Sequence, residues 1–173
     1  SSAASDVYKR QELSEIRNQE IGFIFQGFNL IQNLTALENV ELPLIYRNVP
    51  AAERRRLSEE SLKRVGLEKR MDHKPTEMSG GQQQRVAIAR ALAAAPPLIL
   101  ADEPTGNLDS KSSREIMDIL RKLHTEGRTV ILITHDDKIA QSAKRIIRIM
   151  DGKIESDSGM ADPKSMEEEN GEK

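Results

Sequence analysis

Two short, uninterrupted apolar runs restrict the possible folds of this chain more than any other feature. Residues 98–101 read LILA, and residues 129–134 read TVILIT. Runs without a polar residue at every second position are typical of strands buried on both faces of a parallel sheet. Between them, residues 112–124 carry apolar side chains at the spacing of an amphipathic helix. The order strand, helix, strand predicts an α/β fold with helices on the faces of a parallel sheet.

Other strands and helices are predicted on both sides of this unit. Residues 21–25 read as a buried strand, and helical signals dominate residues 27–95. Thr35 and Glu38 have the spacing of a capping box at the start of a helix. Pro43 is expected to break that helix, because proline lacks the N–H that an inner turn needs.

Turn-forming residues set the limits of the remaining elements. A second helix is expected between Pro50 and Gly66, and a third from Ser79 until Pro96 forbids its continuation. The dipeptide Asp-Gly at 151–152 lies between two short apolar segments. Asp-Gly is a strong signal for a two-residue hairpin turn, so these segments are predicted to pair as antiparallel strands.

The pattern divides the chain into four regions. Residues 12–26 and 96–155 are expected to form the α/β core, and residues 27–95 an inserted helical subdomain. Residues 1–11 show no periodicity and are interpreted as a leader foreign to the domain. Residues 156–173 hold six acids against two lysines and are predicted to be a disordered tail.

Composition excludes several classes of function. The chain of 173 residues has a net charge of −2, which argues against a broad nucleic-acid-binding face. It has no cysteine, which excludes disulfides, thiolate metal sites and cysteine nucleophiles. No apolar run approaches the roughly 18 residues that a membrane span needs. If a membrane is involved, another chain is expected to cross it.

An acidic pair follows the apolar run at residues 98–101. Asp102 and Glu103 come at the carboxyl end of the predicted strand, where ligands bind in open α/β sheets. One carboxylate can hold Mg²⁺ while its neighbour faces an attacking water. An acidic pair at a strand end is about as often the cap of the next loop, so this pattern alone leaves both interpretations open.

A serine and two glycines open the third predicted helix. Ser79, Gly80 and Gly81 precede Gln82 at a helix N-terminus, where unpaired N–H groups and the helix dipole favour an anion such as phosphate. The alternative is an ordinary serine cap followed by flexible glycines.

Three motifs in a fixed order decide between these interpretations. Residues 78–92 read MSGGQQQRVAIARAL, residues 98–109 read LILADEPTGNLD, and residues 131–136 read ILITHD. From about residue 12 to residue 155 the chain closely resembles the ATPases of the ABC family, with Met78 where leucine is more usual. The resemblance implies a P-loop NTPase-like fold and the cofactors ATP and Mg²⁺.

The resemblance also implies a role for each matching residue on the ATP-hydrolysing side. Gln26 matches the glutamine that reaches the Mg²⁺ and the water and senses the membrane subunit. Asp102 matches the acid linked to Mg²⁺, and Glu103 matches the general base. His135 matches the switch histidine near the γ-phosphate.

A second set matches residues that act on the ATP held by an opposite subunit. Ser79, Gly80, Gly81 and Gln82 match the signature that touches the γ-phosphate in trans. Asp109 matches the acid of the loop at the dimer interface. A homodimer or a pair of ABC ATPases is therefore expected.

The family's phosphate loop, Gly-x-x-x-x-Gly-Lys-Ser/Thr, is not found in the sequence. The only glycines at that spacing are Gly22 and Gly27, and Phe28-Asn29 follows them in place of Lys-Ser/Thr. Because Glu103 and His135 are present, the sequence is interpreted as a truncated ATPase that is inactive as it stands.

A narrower resemblance concerns residues 22–44 and 101–110, which are similar to the lipoprotein-release and macrolide-exporter group. It implies a bacterial ATPase chain beneath a separate membrane permease, at the cytoplasmic face of the cell membrane, that drives export or transenvelope transport. Nucleic acid is not expected as a partner. Phe28, Leu30 and Ile31 form an apolar cluster where a permease helix would pack, although packing within the subdomain explains the cluster equally well.

Two alternatives belong to other classes. A soluble ABC ATPase acting on nucleic acid or on the ribosome would need coiled-coil heptads or a second ATPase domain. Residues 27–78 show no heptads. A non-catalytic partner that only supplies its signature in trans would be supported by loss of Glu103 or His135, and neither residue is lost.

Overall fold

The structure is a computed structural model that describes residues 20–159. Three parallel strands form its sheet in the order β1-β2-β3. They are β1 (Ile21–Phe25), β2 (Leu98–Asp102) and β3 (Thr129–Ile133). The register places Phe25 beside Asp102 and Asp102 beside Ile133, so the carboxyl ends of all three strands lie at one edge. The predicted α/β fold with a parallel sheet is confirmed.

Among residues 21–133, four α-helices belong to the same compact unit, which ends at Ile133. Three lie between β1 and β2, and the fourth connects β2 to β3. They are α1 (Ala36–Tyr46), α2 (Ala51–Arg64), α3 (Gly80–Leu92) and α4 (Ser110–Thr125). A short 3₁₀ helix spans Pro75–Glu77. Helices α1, α2 and α3 pack against one another, and α3 also packs against β1.

The capping box predicted at the start of α1 is confirmed. The Thr35 hydroxyl accepts a hydrogen bond from the Glu38 N–H at 3.2 Å, and the Thr35 N–H donates to the Glu38 carboxylate at 2.7 Å. The break predicted at Pro43 is wrong, because α1 continues through it to Tyr46. Proline weakens a helix interior, but Leu44 directly after it is 2% exposed. Burial of this side chain favours the last helical turn.

The other helix limits agree with the turn-forming residues. Pro50 precedes α2, and Gly66 follows its end with a φ of 74°, a value that glycine adopts without strain. Ser79 caps α3, and the helix ends before Pro96. Helix α4 begins two residues earlier than predicted, because the Asp109 side chain caps its first turn.

The two faces of the sheet differ in burial. Ile24, Ile99 and Ala101 are fully buried on one face. On the other face Ile131 is 46% exposed and Ile133 is 49% exposed. The expectation that residues 129–134 form a strand buried on both faces is therefore wrong for the structure described. The second face of β3 is only partly covered by the described residues.

A second compact unit begins at Thr134. It holds the short helix α5 (Asp137–Ala140) and the antiparallel strands β4 (Ile147–Met150) and β5 (Lys153–Asp157). Asp151 and Gly152 connect these strands with φ values of 50° and 72°, as a type I′ hairpin turn requires. The predicted hairpin is confirmed.

Several predictions lie partly or wholly outside the described residues. The leader at 1–11, the first part of the α/β core at 12–19 and most of the tail at 156–173 are among them, although β5 includes the first two residues of that tail. The limits of the predicted subdomains stay predictions. Within residues 20–159, no helix has the length and apolar character to cross a membrane.

The difference between the two sheet faces can be tested by truncating one isoleucine on each. Ile99→Ala removes a fully buried side chain of β2, and such changes typically cost about 2–5 kcal/mol of unfolding free energy. Ile131→Ala on β3 is expected to cost clearly less, because its side chain is half exposed. Urea unfolding of the 173-residue chain measures both. Equal losses would contradict the partly open second face.

Candidate functional site

The acidic pair lies at the carboxyl edge of the sheet. Asp102 is the last residue of β2, and Glu103 donates its backbone N–H to the Ile133 carbonyl at 2.9 Å. Glu103 has a φ of 45°, in the left-handed region. A residue other than glycine held there costs on the order of 1–3 kcal/mol, and such strain is concentrated at functional sites. The structure therefore marks Glu103 as a residue whose backbone conformation is imposed by its surroundings.

Gln26 is tied to the loop that follows the acidic pair. Its side-chain N–H donates to the Asn107 side-chain oxygen at 3.2 Å, and the Asn107 amide donates to the Gln26 backbone carbonyl at 3.3 Å. A Cβ added to Gly106 would lie 2.5 Å from Nε2 of Gln26, so a larger residue at this position would require the Gln26 side chain to shift. Sequence reasoning gave Asn107 no role, although its place beside glycine in a turn was visible.

The backbone after Gln26 is left-handed and is held by hydrogen bonds from Arg90. Phe28 and Asn29 have φ values of 58° and 50°. The Arg90 guanidinium of α3 donates to the Asn29 carbonyl at 2.5 Å and to the Phe28 carbonyl at 2.9 Å. Burial lowers the pKa of Arg90, so the clamp is made by a desolvated cation. Helix α3 thus holds the backbone that follows Gln26.

The N-terminus of α3 has the cap that its sequence predicts. The Ser79 hydroxyl accepts a hydrogen bond from the Gln82 N–H at 3.3 Å, and the Ser79 N–H donates to the Gln82 side-chain oxygen at 2.9 Å. Capping satisfies only part of the first turn, and the helix dipole still places partial positive charge there. A serine cap and an anion site are therefore compatible at this helix end.

The N-termini of α3 and α4 meet. A Cβ added to Gly81 would lie 2.6 Å from the Ser112 hydroxyl oxygen, so glycine is required where the helices approach. Asp109 caps α4 by accepting hydrogen bonds from the N–H groups of Lys111 and Ser112, each at 2.9 Å, and from the Ser112 hydroxyl at 2.7 Å. The hydrogen bonds from Ser112 are the main reason that the pKa of Asp109 is lowered.

A cleft of about 390 Å³ opens where these helix ends meet. Four of the residues predicted to act in trans line it, namely Ser79, Gly81, Gln82 and Asp109. The lining also carries four cationic side chains, from Lys69, Arg70, Arg85 and Lys111, and the acids Glu68 and Glu115, of which Glu115 pairs with Arg85. Gly80 lies at the same helix end, beside Leu108 and Phe28. The structure thus brings the predicted trans residues together.

His135 belongs to the second unit, where it follows Thr134 and is exposed. The next residue, Asp136, caps α5 by accepting from the Lys138 N–H at 2.8 Å. The role that the resemblance implies for His135 stays a prediction.

The donor set at the sheet edge is suited to a metal that a nucleotide helps to hold. The described residues contain no group of three or more His, Cys, Asp or Glu side chains that could hold a metal ion. Mg²⁺ is usually bound by one or two carboxylates together with substrate phosphates and water. Asp102 offers one carboxylate, and Gln26 offers its amide oxygen, since its amide nitrogen faces Asn107. These two residues fit such a site.

A parallel α/β sheet with acids at its carboxyl edge and a glycine-opened helix beside it is typical of the α/β folds that bind nucleotides. Residues 3–106 match the ABC transporter family. The chain belongs to that family, and its relatives include the ATP-binding proteins of macrolide exporters.

Two relatives illustrate the match. An uncharacterised ABC transporter ATP-binding protein of Thermotoga maritima is 56% identical over 145 residues, which cover 84% of this chain and 62% of that protein. The macrolide export ATP-binding/permease protein MacB of Escherichia coli is 55% identical over 148 residues, covering 86% of this chain and 23% of that protein. This chain therefore spans less than two thirds of either relative.

Solved structures show the same fold. A dimeric ATP-binding cassette in a post-hydrolysis state with ADP and phosphate is 53% identical, with a TM-score of 0.75. The alignment covers 86% of this chain and 66% of the solved one. A dimeric bacterial ABC transporter cassette is 54% identical, with the same coverage and TM-score. The P-loop NTPase-like fold is thereby confirmed, and membership of the family implies nucleotide binding with ATP.

The Asp109 cap makes stability depend on pH in a defined way. Because its pKa is lower in the folded chain, its contribution is present above the unfolded value of about pH 4 and is lost as the pH falls through the folded pKa. Asp109→Asn keeps a capping oxygen and does not titrate. Any stability advantage of the wild type at pH 7 should therefore shrink on acidification, as measured by urea unfolding between pH 7 and pH 2.5.

Asp118→Asn is the matched control, because it removes a carboxylate from the exposed side of the same helix and caps nothing. The difference in unfolding free energy between the wild type and Asp109→Asn should change with pH. A difference that stays constant would contradict the role of the ionised cap.

Proposed function

We propose that this chain is the greater part of an ATP-hydrolysing subunit of a bacterial ABC transporter. The observation that carries the proposal is the reciprocal hydrogen bonding of Gln26 and Asn107. It joins the glutamine after β1 to the loop that follows Asp102 and begins with Glu103. This link supports a site at one edge of the sheet in which Gln26, Asp102 and Glu103 act together on the γ-phosphate.

The proposed chemistry is in-line transfer of the γ-phosphoryl group to water, which needs positioning and charge stabilisation rather than covalent catalysis. Asp102 and the amide oxygen of Gln26 would hold Mg²⁺. When bound, Mg²⁺ neutralises charge that develops on the phosphate oxygens. Glu103 orients the attacking water and accepts its proton, and His135 contacts the γ-phosphate.

The proposed active unit is a dimer. Ser79, Gly80, Gly81 and Gln82 of each copy face the ATP bound by the other, and Asp109 lies at the interface. Two observations support this arrangement. The cleft at the ends of α3 and α4 combines helix N-termini with cationic side chains, and the solved relatives are dimeric cassettes.

The proposed partner is an integral membrane permease on a separate chain, so the ATPase lies at the cytoplasmic face of the membrane and drives export or transenvelope transport. The macrolide-export relatives are named ATP-binding/permease proteins, which supports a permease as the partner. The Thermotoga maritima relative is named an ATP-binding protein alone, which supports a separate chain. Of the apolar cluster predicted to meet the permease, Leu30 is buried and belongs to the core. Ile31 is 48% exposed and is the better candidate for the contact.

The assignment of the general base can be tested with Glu103→Gln in the full-length protein that contains this chain. The amide keeps the shape of the side chain but cannot accept the proton of the attacking water. General-base catalysis contributes about 10²–10⁴-fold, so kcat for ATP hydrolysis is expected to fall by that order. Binding of ATP should be retained. Phosphate release and fluorescent-nucleotide binding measure the two properties.

Glu155→Gln on β5 is the control for loss of an exposed carboxylate, and it should hydrolyse ATP at the wild-type rate. Retained hydrolysis in Glu103→Gln would contradict the proposed base. The 173-residue chain alone is expected to release no phosphate, because its sequence contains no phosphate loop. Mg²⁺-dependent turnover by this chain alone would overturn that expectation.

A further inference from the structure

A buried glutamine of α3 touches both loops of the candidate site. Gln84 is fully buried. Its side-chain nitrogen donates to the Pro104 carbonyl at 2.7 Å and to the Phe25 carbonyl at 3.3 Å. Burying an amide is costly unless it forms hydrogen bonds, and here both bonds go to backbone outside its own helix. The side chain therefore joins three segments that are far apart in sequence.

The orientation of this amide is fixed by its partners. Both are carbonyl oxygens, which only accept, so the NH₂ group must face them. The Gln84 oxygen is left without a hydrogen-bond partner in the described part of the chain. An unsatisfied buried acceptor costs about 1–3 kcal/mol, and in a native fold it calls for an explanation. The two hydrogen bonds that Gln84 donates explain why this cost is tolerated, if these bonds fix the positions of both loops.

The two carbonyls flank the residues assigned to hydrolysis. Pro104 directly follows Glu103, and Phe25 directly precedes Gln26. Glu103 has a left-handed backbone, which must be held by its neighbours. Gln84 also lies on the helix that Ser79 caps, so one rigid element spans from the trans signature to both loops of the cis site.

We propose that Gln84 is a positioning residue, which sets Glu103 and Gln26 relative to each other and to the signature end of α3. The assignment rests on the proposed ATP hydrolysis. Gln84 has no exposed surface, so it acts through the two backbone carbonyls that accept its hydrogen bonds.

The preceding glutamines have different roles. Gln82 completes the cap with Ser79, and Gln83 donates to the Met78 carbonyl at 3.1 Å within its own segment. Gln83 contacts neither loop through a hydrogen bond, yet it has the same chemistry as Gln84 on the same helix. Gln83→Met is therefore a matched control for Gln84→Met, in which an unbranched apolar side chain of similar length replaces the amide.

The first experiment compares steady-state ATP hydrolysis by these two variants in the full-length protein. A misplacement near 1 Å can cost about 10²-fold in rate, so kcat of Gln84→Met is expected to fall roughly 10- to 100-fold. KM for ATP should stay within about 3-fold, because Gln84 makes no contact with the nucleotide. Gln83→Met should retain both constants. An unchanged kcat in a folded Gln84→Met protein overturns the proposal.

The second experiment needs no activity. The Gly106 N–H donates to the Glu103 carbonyl at 3.1 Å, and its hydrogen-exchange rate reports the order of that loop. Hydrogen exchange at Gly106 is expected to become faster in Gln84→Met and in Gln84→Glu. An ionised glutamate carboxylate only accepts hydrogen bonds, so it cannot replace the amide as a donor. Exchange should stay unchanged in Gln83→Met. Equal exchange in all variants overturns the proposal, as does failure of both Gln84 variants to fold. A wild type without ATPase activity refutes the proposed function instead, while this measurement still tests the positioning role.

Discussion

The parallel register of three strands is the constraint on which the rest of the site depends. It ends β1, β2 and β3 at the same level, with Phe25, Asp102 and Ile133 side by side. The residues that follow these strands must therefore leave from one edge of the sheet. Gln26 and Glu103 are far apart in sequence, and this register alone makes a shared site possible for them.

Helix α3 holds the loops at that shared edge in place. Phe28, Asn29 and Glu103 all have left-handed backbone, which asparagine tolerates but Phe28 and Glu103 adopt only at a cost. Arg90 holds the carbonyls of the first two, and Gln84 holds the carbonyl that follows the third. The helix that presents the signature thus also stabilises the strained loops, so its position and the geometry of the site are linked.

Sequence periodicity and turn chemistry predicted most of the fold but only part of the site. The strand before Asp102 and the caps at Thr35 and Ser79 follow from local rules, and the structure has them. The side-chain pair of Gln26 and Asn107 could not be predicted, because it joins segments that only tertiary folding brings together. Tertiary packing also explains the errors: burial of Leu44 after Pro43 extends α1, and the described residues cover only one face of β3 well, which leaves Ile131 and Ile133 half exposed.

The central claim is that one copy supplies the acids at its sheet edge while a second copy supplies the capped end of α3. A structure of the full-length Glu103→Gln protein with Mg²⁺ and ATP tests it most directly. The account predicts Mg²⁺ beside Asp102 of one copy, with a γ-phosphate oxygen at hydrogen-bond distance from Ser79 of the second. A nucleotide bound away from Asp102, or a γ-phosphate that no second copy approaches, would contradict the account.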